Sequence, residues 1–168
     1  MSFVAFDFET ANNRRDSACS LGLVRMDEKG RTLSSWYSLI CPKEPYFSPF
    51  CTAVHHLDSR DILNSPHFCE LWPEIKDFIA DDTLVAHNAT FDKSVLNATA
   101  SCYGIILPKF NIVDTLPLAR RQLPMLPNHK LGTIVDYFGF EYDAHNALSD
   151  AEACGIVYTK LMYSDSLF

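Results

Sequence analysis

The chain has no long hydrophobic run. None approaches the ~18 apolar residues that a membrane span requires, so no membrane role is expected. Its first residues, Met1-Ser2-Phe3-Val4-Ala5-Phe6-Asp7, have no basic stretch ahead of a short apolar run, and acids follow at once. They do not read as a signal peptide, and a cytoplasmic location follows by default. None of the six cysteines is paired as C-x-x-C, which argues against a zinc knuckle or a redox couple. In a reducing cytosol they are expected as small, mostly buried apolar residues. Positive charge is also scarce. With 14 basic against 21 acidic residues the net charge is −7. That excludes a protein that coats nucleic acid along its length, but not an enzyme that grips only a strand end. There is no internal repeat, low-complexity tract or linker, so residues 1–168 are expected to form one domain.

What is present suits a packed α/β fold. Apolar residues make up 48% and charged residues 21%, enough to build a core at this length. Residues 3–9 alternate and are rich in β-formers. Residues 18–26 and 31–40 read as two more strands, joined at Lys29-Gly30 by a hairpin turn. Residues 41–51 contain three prolines and read as a loop. Helical spacing follows at 69–80, through Leu71, Ile75, Phe78 and Ile79. Leu84-Val85-Ala86 is a short buried strand. Residues 90–103 are a helix with Phe91, Val95, Ala98 and Cys102 on one face. Asn111-Ile112-Val113 is a further strand, and Asp114 can cap the helix after it. Helices at 130–138 and 150–162 complete the set. A three-strand meander followed by alternating helices and short strands predicts a mixed sheet with helices on both faces.

Four acids and a histidine stand out. Asp7 and Glu9 sit two apart in an otherwise apolar strand, so their carboxylates share one face. If the strand is central, two ionised groups there cost several kcal/mol each without a partner. No basic residue lies nearby in sequence, and a divalent cation is the natural partner. An edge strand with a solvated face would also carry such a pair. In His87-Asn88-Ala89-Thr90-Phe91-Asp92, Thr90 or Asn88 can cap a helix whose first turn holds Asp92, beside the strand end where open α/β sheets bind ligands. An acid that merely complements the helix dipole fits the same place. In His145-Asn146-Ala147-Leu148-Ser149-Asp150, Ser149 and Glu152 match a capping box. The stripe Asp150, Cys154, Val157 and Leu161 should then face the sheet. His145, on the entering loop, is a candidate general base; an exposed loop histidine is the plainer alternative. Arg14, Arg15, Lys93, Arg120, Arg121 and Lys130 are cations that phosphates could meet, though each also suits a solvated surface. Phe8 and Phe91 lie near these acids in sequence, as core residues or as a wall for a base.

The blocks DFET (7–10), HNATFD (87–92), DTLPLAR (114–120), HKLGTIVDYFG (129–139) and HNALSDA (145–151) span nearly the whole chain. Taken together they resemble the DEDDh family of 3′–5′ exonucleases, and most of all the proofreading epsilon subunit of bacterial DNA polymerase III and its stand-alone relatives. The resemblance implies a ribonuclease H-like fold: a five-stranded mixed sheet, three strands in an antiparallel meander and two parallel, with helices on both faces. It implies that Asp7, Glu9, Asp92 and Asp150 hold two Mg²⁺ or Mn²⁺ ions and that His145 is the general base. It also implies substrate contacts at Thr10, His55, Leu57, Asn88 and Phe91. The implied partner is a nucleic acid 3′ end, DNA rather than RNA, with a DNA polymerase as a further partner. The run Thr52 to Leu57 departs from the Val-His-Gly-Ile-like family pattern. His56 replaces the usual glycine, and Phe50 stands where the epsilon subunit has an acid. No long tether follows the last helix, so a stand-alone enzyme or an excised domain is expected as readily as a polymerase subunit. An exoribonuclease, a hydrolase of small phosphoesters and a non-catalytic binding module are the alternatives.

Overall fold

The computed structural model describes residues 2–163; the expected domain limits at 1 and 168 fall outside them. Strands β1 (Ser2–Thr10), β2 (Ala18–Asp27) and β3 (Thr32–Leu39) form the antiparallel meander. Six helices and two short strands follow it among the described residues: α1 (Pro49–His55), α2 (Phe68–Ile79), β4 (Thr83–Ala86), α3 (Ala89–Cys102), β5 (Ile112–Asp114), α4 (Thr115–Gln122), α5 (Leu131–Phe138) and α6 (Ala147–Tyr163). The sheet has five strands in the order β3-β2-β1-β4-β5, with β4 parallel to both β1 and β5. This is the expected mixed sheet. It makes β1 the central strand, so the edge-strand alternative for Asp7 and Glu9 is excluded.

Alternation along β1 divides the core in two. Val4, Phe6 and Phe8 point to one face and pack with Phe68, Leu71 and Ile75 of α2 and Val95 and Leu96 of α3. Phe8 is therefore a core residue. Phe3 and Ala5 point to the other face and meet Ala151 and Cys154 of α6. Asp7 and Glu9 continue that second face, where α6 begins. A third cluster joins α4, α5 and the far half of α6 through Ala119, Ile134, Val157 and Leu161. The stripe expected to lie on the sheet thus splits: Asp150 and Cys154 face it, while Val157 and Leu161 serve the helical layer.

Several local expectations need correction. The proline-rich stretch is not all loop. Pro49 sits in the first turn of α1, whose Ser48 cap accepts from the Cys51 amide, because proline's missing N–H costs nothing at a helix start. The buried face of α3 is Asp92, Val95, Leu96, Thr99 and Ala100; Phe91, Ala98 and Cys102 are only half-buried. Ser149 does not cap α6. Asn146 does, accepting from the Ser149 amide through Oδ1 and from the Asp150 amide through its carbonyl. Ser149 Oγ instead accepts from the Asp143 amide, and Glu152 accepts from Thr32 Oγ1. The six cysteines are free, but only Cys19 and Cys154 are buried. No helix among the described residues is long and apolar enough to cross a membrane.

Candidate active site

Each acid reaches the site by a different local device. Asp7 and Glu9 share a face of β1, opposite Gly22 and Ser20 of β2. The register slips immediately beyond, pairing Thr10 with Ala18; such bulges re-aim a strand end. β4 stops pairing with β1 at Ala5. Past that point the Asp92 carboxylate takes over as acceptor, receiving the Phe8 amide at 3.0 Å. Asp92 is therefore clamped to β1 between Asp7 and Glu9. Asp150 arrives from the first turn of α6, and Gly22 lets it do so. A Cβ at Gly22 would lie 2.4 Å from the Ala147 carbonyl oxygen and 2.5 Å from the Leu148 Cα. Only a residue without a side chain allows α6 to press its start onto β2. The sequence reading missed this glycine; its place beside the predicted Asp7 strand becomes informative only with the register known.

The result is a cluster of uncompensated charge. One carboxylate oxygen each from Asp7, Glu9 and Asp150 lie within 4.8 Å of one another. Asp92 stands behind this trio rather than in it, 2% exposed. No ion pair among the described residues involves any of the four. Burial, then the charges of Asp92, Asp150 and Glu9, push the Asp7 carboxyl far above its ordinary range. Burial, then Asp150 and Asp92, raise Glu9 to about 8. Burial raises Asp92 to about 7 against the pull of the Phe8 amide. It raises Asp150 to about 6 against the amides of His145 and Asn146. One oxygen of Asp150, Oδ2, is buried with no hydrogen-bond partner. An all-oxygen set of converging acids with an orphaned buried oxygen fits a hard divalent cation.

The other predicted residues surround this cluster. His145 is exposed and held in the left-handed region, φ 65°. Together with Asp150 it lines a cleft of about 1010 Å³ between α4 and α5. It also lines a smaller space of about 220 Å³ shared with His55 and Leu57. The two histidines are near enough for His145 to help lower His55, after the larger effect of burial. Both ring nitrogens of His55 are committed to backbone. Nδ1 accepts from the Leu57 amide at 3.1 Å, so Nε2 carries the proton and donates to the Thr10 carbonyl at 3.0 Å. What His55 can offer a ligand is therefore its ring face, while it fixes Thr10 and Leu57. His56 ends α1 at φ 62°, which accounts for the glycine usual at that position. Asn88 occupies the N-cap position of α3 at φ 62° without a side-chain bond to the helix. Its amide N–H goes to Asp114, and it lines the cleft. Thr90 lies inside the helix and caps nothing. Phe91 is half-buried under the Arg15 guanidinium, 4.4 Å from its ring centre. His87 ties the end of β4 to Thr115 Oγ1 and to the His129 carbonyl.

Comparison with known proteins shows the family. The family model described as Exonuclease matches residues 4–158. The chain belongs to the exonuclease family. Among curated relatives, the DNA polymerase III subunit epsilon of Treponema pallidum is 32% identical over 167 residues, covering 96% of this chain and 77% of that protein. The PolC-type DNA polymerase III of Caldanaerobacter subterraneus is 30% identical over 163 residues; the chain spans 11% of its length. Among solved structures, exonuclease X in complex with 5′ overhanging duplex DNA superposes with a TM-score of 0.78 at 19% identity, covering 99% of this chain and 94% of that one. The nuclease domain of 3′hExo, a DEDDh family member bound to rAMP, gives 0.79 at 12% identity, covering 97% and 91%. The ribonuclease H-like exonuclease fold is thereby established, and it implies divalent metal ions.

Proposed function

We propose that the chain is a metal-dependent 3′–5′ exonuclease that releases nucleoside 5′-monophosphates from the 3′ end of a DNA strand. The carboxylate oxygens of Asp7, Glu9 and Asp150, within 4.8 Å of one another and without a neutralising side chain among the described residues, carry this reading. Asp7, Glu9 and Asp150, with Asp92 in support, would hold the two Mg²⁺ or Mn²⁺ ions. When bound, such ions neutralise phosphate charge and favour ionisation of the attacking water. His145, on the rim, takes the proton from that water. The water oxygen bonds to phosphorus and the 3′ oxygen of the preceding nucleotide leaves, taking up a proton. The backbone at Thr10, held by His55, and Leu57 contact the terminal nucleotide, as do Asn88 and Phe91.

DNA is preferred to RNA because the curated relatives are DNA polymerase III proteins. By the same token residues 1–168 act as one nuclease domain, in the cytoplasm, with a DNA polymerase as partner. A digestion of 5′-labelled DNA and RNA strands of one sequence, with Mg²⁺, Mn²⁺ or a chelator, tests this. Stepwise shortening from the 3′ end, faster on DNA and abolished by chelation, is expected. An unshortened ladder with either ion, or shortening that survives chelation, contradicts it.

A further inference from the structure

Asp92 and Asp150 are oriented by backbone amides. That of Phe8 donates to Asp92, and those of His145 and Asn146 act on Asp150. Glu9 has no such support. Burial and the charges of Asp150 and Asp92 act on it, and no hydrogen bond among the described residues does. Directly opposite it on β2 stands Ser20, and beyond Ser20 on β3 stands Leu39. The row two residues along is Asp7, Gly22 and Tyr37. Residues abreast share a face of the sheet, and diagonal neighbours lie within reach of an aromatic side chain. Ser20 and Tyr37 therefore stand on the face that carries the acids, diagonal to one another. Both line the small space of about 220 Å³ beside His55 and His145. Ser20 is 1% exposed and its Oγ has no hydrogen-bond partner. A buried hydroxyl left unpaired is costly, and this one sits across from the acid that lacks a donor. Burial raises the Tyr37 phenol, the Ser20 hydroxyl pulls it back, and Cys19 and Glu9 add to the rise. The phenol is thus close to both Ser20 and Glu9, though short of hydrogen-bond distance to Ser20 Oγ.

We propose that Ser20 and Tyr37 are positioning residues for Glu9: the Ser20 hydroxyl donates to one Glu9 oxygen and leaves the other for the cation, while the Tyr37 hydroxyl donates to Ser20 Oγ. This rests on the reading above, in which Glu9 is a metal ligand. Carboxylates that ligate a metal are ordinarily held by outer hydrogen bonds, and losing such a partner weakens metal binding about 10–100-fold. The donors run in one direction, toward the ionised acid, so each hydroxyl polarises the next. The arrangement also gives a partner to a hydroxyl that nothing else satisfies among the described residues.

Calorimetry of Mn²⁺ binding without substrate tests this. Ser20→Ala is expected to weaken Mn²⁺ about tenfold or more. The melting temperature of the metal-free protein should stay level or rise slightly, because the hydroxyl removed is unpaired there. Tyr37→Phe is expected to weaken Mn²⁺ less, and to add nothing in the Ser20→Ala background, since it acts through Ser20. Ser20→Thr, which keeps the hydroxyl, should restore binding. With an oligothymidylate strand at limiting Mn²⁺ the loss should fall on kcat, with KM level. Unchanged Mn²⁺ affinity in Ser20→Ala overturns the proposal, as does a drop in metal-free melting temperature that parallels the lost affinity. Should the buried Ser20 variants not fold, Tyr37→Phe still decides, because that residue is 43% exposed; wild-type affinity there overturns the proposal too. The expected pattern in a protein that shortens no strand would support the positioning while removing the exonuclease reading.

Discussion

The two ends of β1 meet buried and part-buried acids in opposite ways. At its start, Asp82 receives the Ser2 hydroxyl and pairs with Arg25, whose guanidinium also donates to the Phe78 carbonyl. At its far end, Asp7, Glu9, Asp92 and Asp150 converge with no counter-charge among the described residues. The first arrangement is balanced within the fold. The second is balanced only when something enters from outside. Buried charge that a protein leaves unpaired marks where a cation or substrate is meant to complete the structure.

The largest expected effect tests that asymmetry directly. Asp7→Asn should abolish strand shortening with Mg²⁺ while circular dichroism stays native, whereas Asp82→Asn should leave the rate unaltered. Nuclease activity in the Asp7 variant would dissolve the distinction. Next, His145→Ala should slow turnover by about 10²–10⁴-fold, the range for a general base, with little change in melting temperature. A near wild-type rate would make His145 a bystander on the rim. In stability the order reverses. Asp82→Ala leaves Arg25 facing a part-buried void and should cost about 2–3 kcal/mol, somewhat below a fully buried pair because the two side chains are 17% and 23% exposed. Chemical denaturation measures it, and a loss under ~0.5 kcal/mol would mean the pair is not holding that end.

The smallest effect is on pH dependence without metal. Glu9, Asp92 and Asp150 bind protons more tightly folded, at about 8, 7 and 6, than the ordinary carboxylate range of the unfolded chain. Their contribution is therefore fully present below about pH 4 and is lost as pH rises through 6 to 8. In chelator the melting temperature should decline across that window, and saturating Mg²⁺ or Mn²⁺ should flatten the decline by replacing the protons. Asp7→Asn should flatten it too. A metal-free profile that rises from pH 6 to 8 would show the acids are not strained together.

The period of two along β1 and the spacing of the helices were enough to place Asp7 with Glu9 and to put Asp92 and Asp150 at helix starts. Both are local regularities that backbone geometry enforces. The capping of α6 was misread because Ser149 and Asn146 are equally good cap residues, and only the docking of Ala147 against Gly22 selects the earlier one. At α3 Asn88, one of the two expected cap residues, does occupy the N-cap position, but without a side-chain bond to the helix; its amide goes instead to Asp114, a residue on another strand. Neither choice leaves a trace in the nearby sequence.

By itself the sequence determined the element order, the alternation that divides the core, and which acids could share a metal. Tertiary structure alone decided that β1 is central, that Gly22 admits α6, that Asp92 stands behind the trio, and that His55 spends both nitrogens on backbone. The division has a physical reason. Periodicity and propensity act over a few residues, but the packing of a helix start on a strand, and the charge it delivers, depend on distances between segments more than a hundred residues apart.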